Sequence, residues 1–146
     1  MLCPTEALLF SSQFRRLYDK KIKGMAESYG LTSAEVNVLL FLANNPEYNT
    51  AKDISEIRML PKSCVSKAVD SLIRQGFLTS REDEKDRRIL RLFILPAADG
   101  VVKDAQTNQK EFLSSAFRNF TEEERQTLDH LTEKLIVNIK EELEEC

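Results

Sequence analysis

From Phe10 to Met25 the apolar positions Phe10, Phe14, Leu17, Tyr18, Ile22 and Met25 recur at steps of three and four residues. That spacing puts them on one face of a helix and predicts a helix over Glu6 to Tyr29, stopped by Gly30. A second apolar run, LTSAEVNVLLFLA, opens on Thr32 with Glu35 as a capping box and Leu31 with Val36 as a hydrophobic staple. It predicts a helix to about Ala43, broken at NNPEYN. Thr50 with Asp53 is a second capping box and opens a short helix to about Ile57.

In PKSCVSKAVDSLIRQ, Pro61 is placed as the first helical residue and Gly76 as the stop. Val65, Val69, Leu72 and Ile73 share one face of that helix, and Lys62, Ser63, Ser66, Lys67 and Asp70 lie elsewhere. Phe77 to Arg81 and Ile89 to Leu95 read as two strands of a hairpin around a charged turn. Pro96 to about Asn119 is helical, and Thr121 caps a last helix with Leu128, Leu131, Leu135, Ile139 and Leu143 on one stripe. The fold class is therefore mainly α with a small β-hairpin: a helix-turn-helix followed by a wing.

A chain of 146 residues suggests one domain, and 42% hydrophobic residues suffice for a core without disulfides. With no apolar run near the roughly 18 residues of a membrane span, no membrane association is expected. The start MLCPTEALLF lacks the pattern of a leader, so the expected location is the cytoplasm. Cys3, Cys64 and Cys146 form no C-x-x-C pair, and the single His130 cannot complete a usual zinc set. Neither a metal nor a cofactor is expected. No nucleophile–base–acid set or Gly-rich phosphate loop is visible, so an enzyme is not expected either.

The net charge of −3 argues against nucleic acid until its distribution is considered. Between residues 58 and 91 there are nine Lys/Arg against five acids, whereas residues 121–146 hold nine acids against three bases. The positive charge is concentrated on the helix-turn-helix and wing. Lys62, Ser63, Ser66 and Lys67 cluster at the start of the second helix of that pair, where helix amides also favour phosphate. Such a recognition helix presents its first turns to the major groove of double-stranded DNA. Arg87 and Arg88 at the wing tip can reach an adjacent minor groove, with Asp86 as an orienting partner. Arg74 and Arg81 are candidate phosphate contacts or structural pairs.

Three stretches together resemble the MarR (multiple antibiotic resistance regulator) family of winged-helix transcription regulators. LTSAEVNVLLFL is similar to its second helix, with Glu35 where the family has Gln. PKSCVSKAVDSLIRQGFL is similar to its recognition helix running into the wing. DEKDRRILRLFIL carries its Asp-x-Arg wing signature as Asp86 and Arg88. The chain departs from the pattern at Pro96 and Gly100 after the wing, and at Met59 in the turn before the recognition helix.

The resemblance implies a single domain over 1–146. About 31–95 is the DNA-binding part, and about 1–30 and 96–146 are dimerisation helices. It also implies a homodimeric repressor on a pseudo-palindromic operator, released by a small aromatic or phenolic effector. Tyr18, Ile22, Phe41, Phe112 and Phe117 are the candidate pocket residues for such an effector. Two alternatives stand beside this reading: a winged-helix dimer that acts through protein contacts alone, and a thiol-based redox sensor using Cys64.

Overall fold

The computed structural model describes residues 3–145. Its elements are α1 (Pro4–Ser28), α2 (Ser33–Asn44), α3 (Ala51–Arg58), α4 (Lys62–Arg74), β1 (Leu78–Glu82), β2 (Leu90–Ile94), a 3-10 turn (Pro96–Ala98), α5 (Asp99–Ala116) and α6 (Glu122–Glu145). Cys146 lies outside the described residues. Of the described residues, 3–112 form one compact unit and 113–145 form another.

In the first unit α2 is the central element. Every residue from Glu35 to Leu42 is buried, as expected of a helix that is apolar nearly all round. Ile22 and Ala26 of α1 join the same core, as do Val65, Ala68, Val69 and Leu72 of α4, Leu78 and Leu92 of the hairpin, and Val101 and Ala105 of α5. Each fully buried Leu, Ile or Val contributes on the order of 1.5–3 kcal/mol. One side of α4 is thereby fixed to the body, and its other side is left to solvent.

The helix ends follow from local chemistry. Thr50 and Asp53 form the full capping box at α3, each accepting from the other's backbone amide. At α2 the box is half formed. Thr32 Oγ1 accepts from the Glu35 amide, but the buried Glu35 carboxylate accepts from the Thr32 hydroxyl and from Gln75 Nε2. Glu35 thus ties the start of α2 to the end of α4. Pro61 is the N-cap of α4 (ψ 138°), so the helix starts at Lys62 and not at Pro61 as the sequence suggested. The residue after Leu95 enters a 3-10 turn, because Pro96 cannot continue the strand ladder, and α5 begins only at Asp99. Gly76 (φ 78°) ends α4: the Phe77 amide donates to Leu72 O, and the chain turns into β1.

The turn between α3 and α4 is closed by Ser55, whose hydroxyl and carbonyl both engage Leu60. Met59 lies there in the left-handed region (φ 53°) with its side chain exposed. A non-glycine residue is strained in that conformation. Met59→Gly should therefore raise stability by about 0.5–1 kcal/mol, read as a higher urea midpoint with an unchanged m-value. A lower midpoint would contradict this account of the turn.

In the second unit Thr121 and Glu124 form a capping box for α6. Phe117 packs edge-on against Phe120, with the Arg125 guanidinium 5.5 Å above its ring. No residue of α6 is buried, although Leu131, Leu135, Ile139 and Leu143 line it at helical spacing.

Candidate nucleic-acid interface

Two features of the first unit face solvent together: the start of α4 and the tip of the hairpin. On α4, Lys62, Ser63, Ser66 and Lys67 are all exposed, and Val65, Ala68, Val69 and Leu72 are buried on the opposite side. Pro61 offers no side-chain acceptor, so no cap occupies the first amides of the helix. Those amides and the helix dipole favour an anion at the position that the lysines flank. Cys64, on the same turn, is half-buried.

The hairpin pairs Leu78 with Ile94 through to Glu82 with Leu90. Beyond that last pair, residues 83–89 form the tip. Asp83 Oδ2 accepts from the amides of Lys85 (3.1 Å) and Asp86 (3.0 Å) and folds the turn. Asp86 Oδ1 accepts from the amide (3.0 Å) and Nε (3.1 Å) of Arg88, and its Oδ2 accepts from Arg88 Nη2 (3.2 Å). The carboxylate thus holds the guanidinium by two bonds, yet the Arg88 side chain is 90% exposed. The arrangement offers a charge that is aimed but not consumed. Arg87 is exposed beside it.

The bonds from Arg91, and then the amides of the turn, hold the Asp83 carboxyl below the usual carboxylate range. The Arg88 side chain and amide do the same for Asp86, against a smaller opposing influence from Asp83. A carboxyl depressed in the folded state stabilises it above the unfolded value of about 3.9 and stops doing so as pH falls through the folded value. The tip should therefore keep its fold to below about pH 3.9. An NMR titration of the Lys85 and Arg88 amides should show midpoints below that value. Midpoints at or above it would contradict these bonds.

The remaining sequence candidates are scattered. Arg81 lies over the Phe93 ring at 5.2 Å, and Arg74 is exposed in the last turn of α4. Ile22, Phe41 and Phe112 are buried in the first unit, with Phe112 against the rings of Phe14 and Tyr18. Phe117 belongs to the second unit. Tyr18 lines a cleft of about 560 Å³ where α1 meets α2, the end of α3 and the start of α4. Its other walls include Arg15, Arg16, Lys20, Lys23 and Arg58, with Asp19 the single acid. Arg58 donates to the buried Asn37 (3.2 Å) and stands 5.7 Å over the Tyr18 ring. Sequence reasoning did not single out these basic residues, although the run FRRLYDKKIK carries most of them.

No described helix is long and apolar enough to cross a membrane. Among the described residues no group of three His, Cys, Asp or Glu is placed to hold a metal ion.

A helix-turn-helix whose second helix bears exposed lysines and serines, followed by a hairpin with an oriented arginine, is the winged-helix arrangement. The sequence model of the MarR family matches residues 29–89, from the end of α1 to the wing. The chain is 27% identical over 75 residues to the uncharacterized HTH-type transcriptional regulator YsmB of Bacillus subtilis (strain 168), a match spanning 51% of each protein. It is 24% identical over 128 residues to the HTH-type transcriptional repressor MdtR of the same organism, 88% of this chain and 81% of MdtR. The match thus spans about half the length of the first relative and most of the second. A MarR protein from Peptoclostridium difficile has the same fold, with a TM-score of 0.80 at 23% identity over 97% of this chain and 94% of that one. So does MepR of S. aureus in its complex with DNA, with a TM-score of 0.72 at 15% identity over 94% and 97%. Over residues 29–89 the chain is thus similar to the MarR family of transcriptional regulators, and the two relatives it matches are regulators of the helix-turn-helix type.

Proposed function

We propose that the chain is a homodimeric repressor that reads a pseudo-palindromic operator, with α4 in the major groove and Arg88 in the adjacent minor groove. The observation that carries this is the two-sided chemistry of α4: a buried aliphatic side, and an exposed side bearing Lys62, Ser63, Ser66 and Lys67 around an uncapped N-terminus. Short hydroxyls permit close approach to base edges, and the lysines reach guanine or phosphate. Arg74 supplies a further phosphate contact at the far end of the helix, and Arg87 another on the wing. Arg81, spent on Phe93, steadies the hairpin.

A second copy covers the apolar residues left exposed on α1 (Leu8, Leu9, Phe10) and α6 (Leu131, Leu135, Leu143). The effector site is the basic cleft at Tyr18, and its five cations against one acid favour a small aromatic or phenolic acid. Light scattering should give twice the 16.8 kDa chain mass, and a footprint should show two half-sites about one helical turn apart. A monomer protecting a single half-site would overturn the dimer. A dimer that selects no duplex from a random pool would favour action through protein contacts.

A further inference from the structure

A two-stranded hairpin is marginal on its own, and this one adds only Leu78 and Leu92 to the buried core. Something else must fix the direction of its tip. The chain of contacts begins at Asn49, in the loop just before the Thr50 cap of α3. The Leu92 amide donates to Asn49 O (2.8 Å), and Arg91 Nη1 donates to Asn49 Oδ1 (3.1 Å). One residue thus receives bonds from two consecutive residues of β2. Arg91 Nε then donates to Asp83 Oδ1 (3.1 Å), and both side chains are largely withdrawn from solvent, at 34% and 19% exposure.

Arg91 would otherwise face a like charge, because Arg81 is its direct cross-strand partner. Asp83 draws Arg91 aside, and Arg81 stacks on Phe93. The second oxygen of Asp83 folds the tip through the amides of Lys85 and Asp86, and the Asp83 amide donates to Ile89 O (2.9 Å). Asp86 then grips Arg88. An unbroken path of hydrogen bonds runs from Asn49 through Arg91, Asp83 and Asp86 to Arg88. Unlike Arg88, Arg91 has its guanidinium engaged inside the protein.

We propose that Asn49 and Asp83 are positioning residues for DNA recognition: through Arg91 they fix the wing to the loop that opens α3, and so set where Arg88 falls relative to the recognition helix. This rests on the reading that Arg88 enters the DNA. The helix-turn-helix and the wing then share one anchor. Asn49 touches no DNA, yet it governs the sequence preference of the flank where the wing lands.

The test uses the full chain and a duplex that the wild-type protein selects from a random pool, prepared with A·T-rich and with G·C-rich flanks. Asn49→Ala should lower affinity about five- to tenfold on the A·T-flanked duplex, with little change on the G·C-flanked one. Asn49→Asp, which keeps an acceptor for Arg91, should behave as wild type. Because Asn49 acts through Arg88, the double variant Asn49→Ala/Arg88→Ala should lose no more than Arg88→Ala alone. Additive losses, or an unchanged flank preference in Asn49→Ala while Arg88→Ala abolishes it, overturn the positioning role. A flank preference that survives Arg88→Ala overturns instead the wing reading beneath it. Should Asn49→Ala fail to fold, Asp83→Asn in the same cycle with Arg88→Ala makes the same distinction.

Discussion

Leu72→Ala should destabilise the protein by about 2–5 kcal/mol, the largest effect expected of a single substitution here. Leu72 is fully buried on the inner side of α4, among the residues that fasten the helix to the body. Removing its isobutyl group loses transfer free energy and leaves a cavity that a helix pinned at both ends cannot collapse to fill. For a domain whose whole stability is on the order of 5–15 kcal/mol, that is a large fraction. Urea unfolding should show a lower midpoint at an unchanged m-value. Lys67→Ala on the outer side of the same helix should change stability by no more than about 0.5 kcal/mol. A loss below about 1 kcal/mol for Leu72→Ala would mean that α4 is not anchored as described.

Arg88→Ala should do the reverse, leaving stability near wild type and weakening binding to a selected operator by about 1–3 kcal/mol. Its side chain is almost wholly exposed, and its bonds to Asp86 are a surface pair of small energetic value. What Asp86 supplies is direction: on the proposed reading the guanidinium would reach the minor groove already oriented, so less freedom would be lost on binding. The loss should be greatest on A·T-rich flanks, where the narrow groove concentrates negative potential. Equal affinity of variant and wild type at moderate salt would remove Arg88 from the interface.

Much of this was legible in the sequence because it rests on local chemistry. The capping box of Thr50 with Asp53 announced α3, and Thr121 announced α6 as its cap, since such caps are closed within four residues. The hairpin was found to within a residue from the two strand-like runs around the charged turn, and Asp86 beside Arg88 was readable as an orienting pair. What escaped depends on tertiary placement. Pro61 reads equally well as a cap or as the first helical residue. Glu35 fits a local box, but burial drew its carboxylate to Gln75, forty residues away. Asn49 and Arg91 are forty-two residues apart, and nothing in either neighbourhood announces the pairing. The basic cleft gathers residues of four helices around Tyr18, whereas Ile22, Phe41 and Phe112, candidates beside it by resemblance, are buried.

The most direct test of the central claim is fluorescence anisotropy of the purified protein with DNA from upstream of its own gene, against a random duplex, across a range of salt. Binding to the upstream DNA at least about a thousandfold tighter than to random DNA, falling steeply with salt, is the predicted result. Weak, equal binding to both duplexes, with no loss on Lys67→Ala or Arg88→Ala, would contradict the claim that α4 and the wing read DNA.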